Sequence, residues 1–204
     1  MAAHTGRVNE EESGRRRSAR VCSGAAQLRG SNCAFRAIQP IKKVIAREEK
    51  GVSEYRTRRI LAIASGGGHW EQLLILQPAF SGCDVHYATT LEGLADHSRL
   101  SNAHLIPDCN RDEKLRILYS AFSLFRLLMR IRPDIVVTTG ALPGLLALMI
   151  ARRFGIRTVW IDSIANAEEM SLAGQTAGRH SDLWLSQWPD VARAAGADYS
   201  GAVL

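Results

Sequence analysis

Ile60-Leu61-Ala62-Ile63-Ala64-Ser65-Gly66-Gly67-Gly68-His69 is a short apolar run that ends in three glycines and a histidine. A helical pattern follows it at once. Glycine lets the backbone turn tightly and lets a ligand approach the main chain. The first turn of the next helix offers unpaired N–H groups and a positive dipole end, a setting for phosphate or another anion. A strand, such a turn and a helix open a parallel α/β sheet, and function is expected at the carboxyl edge of that sheet.

The rest of the chain alternates in the same way. Strands are expected at 60–64, 84–88, 104–106, 134–138, 158–161 and 183–186. Helices are expected at 70–80, 114–131, 145–154 and 167–180, with a last turn or helix at 191–195 before a terminal run at 201–204. Continuous apolar strands separated by helices predict a doubly wound, Rossmann-like parallel sheet covered on both faces. Within 114–131, Leu115, Leu118, Tyr119, Phe122, Phe125, Leu128 and Met129 recur near the helical period and predict a buried stripe. Arg116, Arg126, Arg130 and Arg132 decorate the same helix. They fit a membrane-surface face or the solvated side of a core helix, and the second reading is preferred because the fold needs a buried stripe there.

Charge divides the chain of 204 residues into two parts. Residues 1–59 carry 14 Lys/Arg against 6 Asp/Glu, whereas residues 60–204 carry 12 against 14. The basic excess therefore belongs to the leader, a weaker sign of nucleic-acid binding than basicity of the folded part, and no nucleic-acid partner is expected. Residues 1–57 lack sustained periodicity and are expected to be a basic, disordered leader, with a short helix possible around 38–49. That leaves 58–204 for the folded domain. Cys22, Cys33, Cys83 and Cys109 show no CxxC pair and no metal-ligand spacing, which favours reduced thiols and no metal site. No apolar stretch approaches the ~18–20 residues that span a bilayer, and the start has no apolar h-region.

Several rim segments carry chemistry. Gly66-x-Gly68 resembles a dinucleotide fingerprint, but Glu71 stands at the third glycine position and strand 84–88 is followed by Thr89-Thr90 rather than an acid. That counts against a nicotinamide or flavin enzyme, which stays as an alternative. His69 opens a helix, where a neutral imidazole accepts a proton or binds a hydroxyl or phosphate. Thr139 and Gly140 follow a buried strand and offer a second anion- or sugar-facing turn. Asp162 and Ser163 offer a carboxylate and a hydroxyl after the next strand. Trp188 is placed to stack on a sugar, with Pro189 suited to a first helical turn.

Taken together, Ser65-Gly66-Gly67-Gly68-His69, Thr139-Gly140, Trp160-Ile161-Asp162-Ser163, Leu172-Ala173-Gly174 and Asp182-Leu183-Trp184-Leu185-Ser186-Gln187-Trp188-Pro189 resemble a known family. It is the membrane-associated subunit of the two-component N-acetylglucosaminyltransferase that makes dolichol-linked chitobiose, with bacterial counterparts in exopolysaccharide and capsule biosynthesis. A more distant resemblance is to the glycosyltransferase that completes the lipid-linked peptidoglycan precursor. The resemblance covers about 58–204 and implies a fold equivalent to the N-terminal half of a GT-B glycosyltransferase. It implies a polyprenyl-diphosphate-linked acceptor on this half and a UDP-sugar, UDP-N-acetylglucosamine, held by a separate donor-binding glycosyltransferase subunit. It also implies a peripheral position at the cytoplasmic face of the membrane, with no cofactor. His69 would be catalytic, and Ser65, Gly66, Gly67, Gly68, Thr139, Gly140, Asp162, Ser163 and Trp188 would bind substrate. Asp162 stands where many members have Glu, and Asn166 where many have Arg. Many members carry an N-terminal membrane helix, and none is read here, so the leader, an apolar face or a membrane partner would make the attachment. A non-catalytic scaffold that recruits a glycosyltransferase is the other alternative.

Overall fold

A computed structural model describes residues 36, 38–46, 56–100, 102–110 and 112–203. Strand β1 (Arg59–Ala64) takes the centre of the sheet because both of its faces are apolar. Ile60, Ala62 and Ala64 enter one core and Leu61 and Ile63 the other, the period-two alternation of an extended strand. β1 pairs in parallel with β2 (Asp84–Thr89) on one side and β4 (Ile135–Thr138) on the other. β3 (Ala103–Leu105) lies beyond β2, and β5 (Arg157–Ile161), β6 (Leu183–Ser186) and β7 (Asp198–Tyr199) continue beyond β4. The resulting seven-stranded sheet has the order β3-β2-β1-β4-β5-β6-β7. The chain leaves β1 in one direction and returns at β4 to build the other half. The crevice between the carboxyl ends of β1 and β4 is therefore the topological switch point.

Helices cover both faces. α1 (residues 38–46) and α2 (Gly68–Ile75) close one core. α4 (Lys114–Ile131), α5 (Ala141–Arg153) and α6 (Leu172–Ala177) close the other. The short α3 (Leu94–His97) follows β2, and α7 (Pro189–Ala195) follows β6. The expected Rossmann-like, doubly wound parallel architecture is thus present, with β7 added at the edge.

Apart from the added α3 and β7, the structure departs from the sequence reading in five places. The leader 1–57 falls mostly outside the described residues; the helix read as possible around 38–49 is present at 38–46, and the departure is that it packs in the core through Ile38, Ile41 and Ile45. Burying each such side chain contributes about 2 kcal/mol, and Arg157 donates to the Val44 carbonyl at 2.5 Å near the helix end. A boundary at 57/58 therefore cuts through a packed unit. Helix 70–80 is shorter: α2 starts at Gly68 and ends at Ile75, and a 3-10 turn at Gln77–Phe80 holds Pro78, which lacks the N–H to continue an α-helix. α5 starts at Ala141, four residues early, because Pro143 is tolerated in a first turn. Residues 167–171 are not helical, since α6 begins only after Ser171, whose hydroxyl accepts from the Gly174 N–H as an N-cap.

The fifth departure is α4. Of the stripe read as buried, only Leu128 is, whereas Leu115 is 85% exposed, Leu118 71%, and Tyr119, Phe122 and Phe125 are exposed too. Ser120, Leu124, Leu127, Leu128 and Ile131 face the core instead. The helix is apolar on more than one side, so period alone selected the wrong face.

Candidate functional site

Two glycine turns meet at the switch point. After β1, Gly67 adopts φ +72°, a region closed to most side chains, and serves as the N-cap of α2. Gly66 is small for a different reason: a Cβ there would lie 3.0 Å from Leu91 Cβ, and its N–H reaches Thr90 Oγ1 at 3.3 Å. Gly68 has open space around it and an ordinary backbone. After β4, Gly140 is the N-cap of α5. Neither helix has a side-chain cap, so first-turn N–H groups of both are left for solvent or a ligand.

A reciprocal clamp joins the turns. The Thr139 hydroxyl donates to the His69 carbonyl at 2.7 Å, and His69 Nδ1 stands 2.8 Å from the Thr139 carbonyl. A carbonyl only accepts, so Nδ1 carries the proton, and in the neutral ring the lone pair sits on Nε2. Gly140 makes room for that ring. A Cβ on it would lie 2.6 Å from His69 Cε1, and its φ of +130° is unsuited to a side chain. Thr139 is fully buried with its hydroxyl and carbonyl both committed to His69. The geometry makes it a positioning residue rather than the rim contact expected from sequence.

Beside the clamp a cleft of about 650 Å³ opens along the carboxyl ends of β1 and β2 and the first turn of α5. Ser65, Gly66 and Thr90 form its polar side, while Leu91, Leu142 and Leu172 form an apolar lip. Asp108 and Asn110, from the loop after β3, close the far wall. The adjacent Cys109 is a free thiol whose pKa is pushed up chiefly by burial, so it stays neutral. Sequence reasoning had picked out Ser65 and Gly66 of its lining, but not Leu91, Asp108, Asn110 or Leu172. The polar loops at 89–92 and 107–111 and the apolar start of α5 were its signals. Among the described residues, no group of His, Cys, Asp and Glu is arranged to hold a metal ion.

Asp162, Ser163 and Trp188 follow the carboxyl ends of β5 and β6 but do not line this cleft, and only Trp188 of the three is exposed. Asp162 is buried and accepts from Trp160 Nε1 (3.2 Å), Ser171 Oγ (2.6 Å), Ser171 N (3.1 Å) and Asn166 Nδ2 (2.8 Å). With those donors in place, little acceptor capacity is left for a substrate. Gln72 donates to Ser163 Oγ at 3.3 Å, and its own carbonyl accepts from Ile164 N and Gln187 Nε2. The Trp188 indole donates to the Ile164 carbonyl at 2.7 Å, tying the β6–α7 turn to the loop after β5. These residues form a polar brace behind the site, with Gln72 and Gln187 as members that sequence reasoning missed.

The β4–α5 turn is strained: Ala141 has φ +66° directly after Gly140. Substituting Ala141→Gly should raise stability by about 1 kcal/mol, because glycine adopts that conformation without penalty. Gly140→Ala should lower it by roughly 1–3 kcal/mol and displace the His69 ring. Urea unfolding of both variants reads the sign, and equal effects would contradict the assigned strain.

No family model matches the chain. It is similar to the UDP-N-acetylglucosamine transferase subunit ALG14 of Mus musculus, with 26% identity over 176 residues, 69% of this chain and 80% of that protein. The subunit of the same name from Homo sapiens is 26% identical over 162 residues, covering 64% of this chain and 75% of its own. Among solved structures, Acinetobacter baumannii MurG superposes with a TM-score of 0.54 at 19% identity, covering 65% of this chain and 42% of that one. UDP-N-acetylglucosamine 2-epimerase from Rickettsia bellii gives a TM-score of 0.57 at 14% identity, covering 72% and 46%. The chain thus spans less than half the length of the solved structures it matches, and these likenesses show a shared Rossmann-like fold.

Proposed function

We propose that this chain is the acceptor-side subunit of a glycosyltransferase that moves N-acetylglucosamine from UDP-N-acetylglucosamine to a polyprenyl-diphosphate-linked sugar. A separate chain supplies the donor site. The observation that carries this reading is the similarity along 80% of a protein that is itself named as a UDP-N-acetylglucosamine transferase subunit. The site's geometry supports it. Two uncapped helix N-termini converge beside Gly67, Gly68 and Gly140, where a diphosphate would be met by N–H groups and positive dipole ends. The lip of Leu91, Leu142 and Leu172 runs from that point and suits the first isoprene units.

In this reading His69 acts at the acceptor hydroxyl. The clamp fixes the Nδ1–H tautomer, and Nε2 takes the hydroxyl proton as the oxygen bonds to the anomeric carbon. The sugar–phosphate bond breaks with its electron pair leaving on UDP. Domain limits follow the packed unit, which includes α1. No described helix is long and apolar enough to cross a membrane. We assign membrane contact to the outer face of α4, where Leu115, Leu118 and Phe122 stand exposed among Lys114, Arg116 and Arg126. That places the chain peripherally, at the membrane face where the UDP-sugar is available.

Calorimetric titration of the purified chain tests the division of labour. A short-chain prenyl-diphosphate N-acetylglucosamine should bind, and UDP-N-acetylglucosamine alone should give no heat. Binding of the UDP-sugar without binding of the acceptor analogue would reverse the assignment.

A further inference from the structure

A second cleft, of about 660 Å³, lies at the β3 edge of the sheet under α4, away from the glycine turns. His104 and Leu105 line it from β3, and Ser123, Phe125, Arg126 and Arg130 from α4. No carboxylate is among its lining residues. Behind it runs a directed chain of contacts. Arg130 Nη2 stands 3.2 Å from His104 Nδ1, and a guanidinium only donates, so that nitrogen accepts. The proton of the neutral His104 ring is then on Nε2, which donates to His86 Nδ1 at 3.2 Å. The two rings stack with centroids 5.5 Å apart, and His86 Nε2 points to Asp84 Oδ1 at 3.6 Å. Both imidazoles are neutral in this arrangement. Asp84 sits at the far end of this run of contacts, so the Arg130 and Arg126 charges line a cleft that holds no carboxylate among the described residues.

We propose that this cleft receives the phosphate of an anionic phospholipid headgroup while the outer stripe of α4 lies in the bilayer surface. Two features select a lipid as the source of the phosphate. Phe125 lines the cleft and also belongs to the exposed apolar stripe, so a headgroup seated there has its acyl chains beside Phe122 and Leu118. Leu105, on the opposite wall, is 58% exposed, an apolar lip on the sheet side as well. The charges that face His104 are Arg130 and Arg126 on α4 and, through His86, Asp84 on β2. Burial, Arg130 and His86 hold the His104 pKa below its ordinary value. A phosphate draws Arg130 away and stabilises the imidazolium, so His104 gains a proton as the headgroup binds. The proposal rests on the membrane reading of α4, and its test separates the two.

The test is vesicle sedimentation of the full chain with phosphatidylcholine alone and with phosphatidylcholine doped with phosphatidic acid. Wild type should prefer the doped vesicles. Arg126→Gln combined with Arg130→Gln should reduce that preference by roughly 25-fold, the effect of two charges near an anionic surface. Arg179→Gln with Arg193→Gln, which removes the same charge toward the opposite sheet edge, should leave it intact. Equal losses in both pairs would overturn the cleft in favour of diffuse attraction. Leu118→Ser with Phe122→Ser should abolish binding to either vesicle. If wild type binds neither vesicle, the membrane reading of α4 fails as well, and binding of the donor subunit to this face instead would assign it to a protein partner. A soluble short-chain phosphatidic acid should raise the pH at which His104 titrates by NMR. No movement at His104 would overturn direct phosphate contact.

Discussion

Replacing Asp162 by alanine should cost roughly 3–5 kcal/mol of stability, a large share of the ~5–15 kcal/mol that holds a domain together. The carboxylate is 1% exposed and accepts from the Trp160 indole, the Ser171 N–H and hydroxyl, and the Asn166 amide. Alanine leaves the indole and the Ser171 N–H buried without acceptors, at about 1–3 kcal/mol each. It also releases the Ser171 hydroxyl, which caps α6 through the Gly174 N–H at 2.9 Å. Asp162→Asn should be destabilising too, since its NH₂ would face donors. The midpoint of urea unfolding measures both variants. A loss below ~1 kcal/mol for Asp162→Ala would return Asp162 to the list of substrate-facing residues.

His69→Asn should lower turnover by about 10²–10⁴-fold, the range associated with a lost general base, and leave folding near that of wild type. Asparagine places an N–H close to the position of Nδ1, so the 2.8 Å contact with the Thr139 carbonyl has a substitute, but nothing replaces Nε2. His69→Gln reverses the experiment by putting a group near Nε2 and giving up the clamp. Wild-type turnover in His69→Asn, with assembly intact, would make His69 a structural residue and favour the scaffold reading.

Much of the fold was legible because buried parallel strands announce themselves as short β-branched or aliphatic runs. β1 and β4 read directly from 60–64 and 134–138, and the glycines after β1 marked the switch point. The rim was half legible. Gly67 and His69 gave a local signal, whereas the role of Thr139 depends on a contact with a residue 70 positions away. Asp162 lies at a strand end, where a carboxylate reads as functional, and only the surrounding donors show that it braces a loop. α4 misled because its apolar residues outnumber those the core can take. Periodicity reports that a helix has an apolar face, but the sheet it crosses decides which face is buried. Gln72 and Gln187 sit 115 residues apart and are joined only by tertiary packing, so no local pattern could pair them.

The central claim is that this chain supplies one wall of a glycosyltransferase site and a second chain supplies the other. The direct measurement is transfer of labelled N-acetylglucosamine from the UDP-sugar to a polyprenyl-diphosphate-linked acceptor, by this chain alone, by a purified donor-binding subunit alone, and by the two combined. Product should form only in the combined reaction and fall with His69→Asn. Full transfer by this chain alone, or by the donor-binding subunit without it, would contradict the claim.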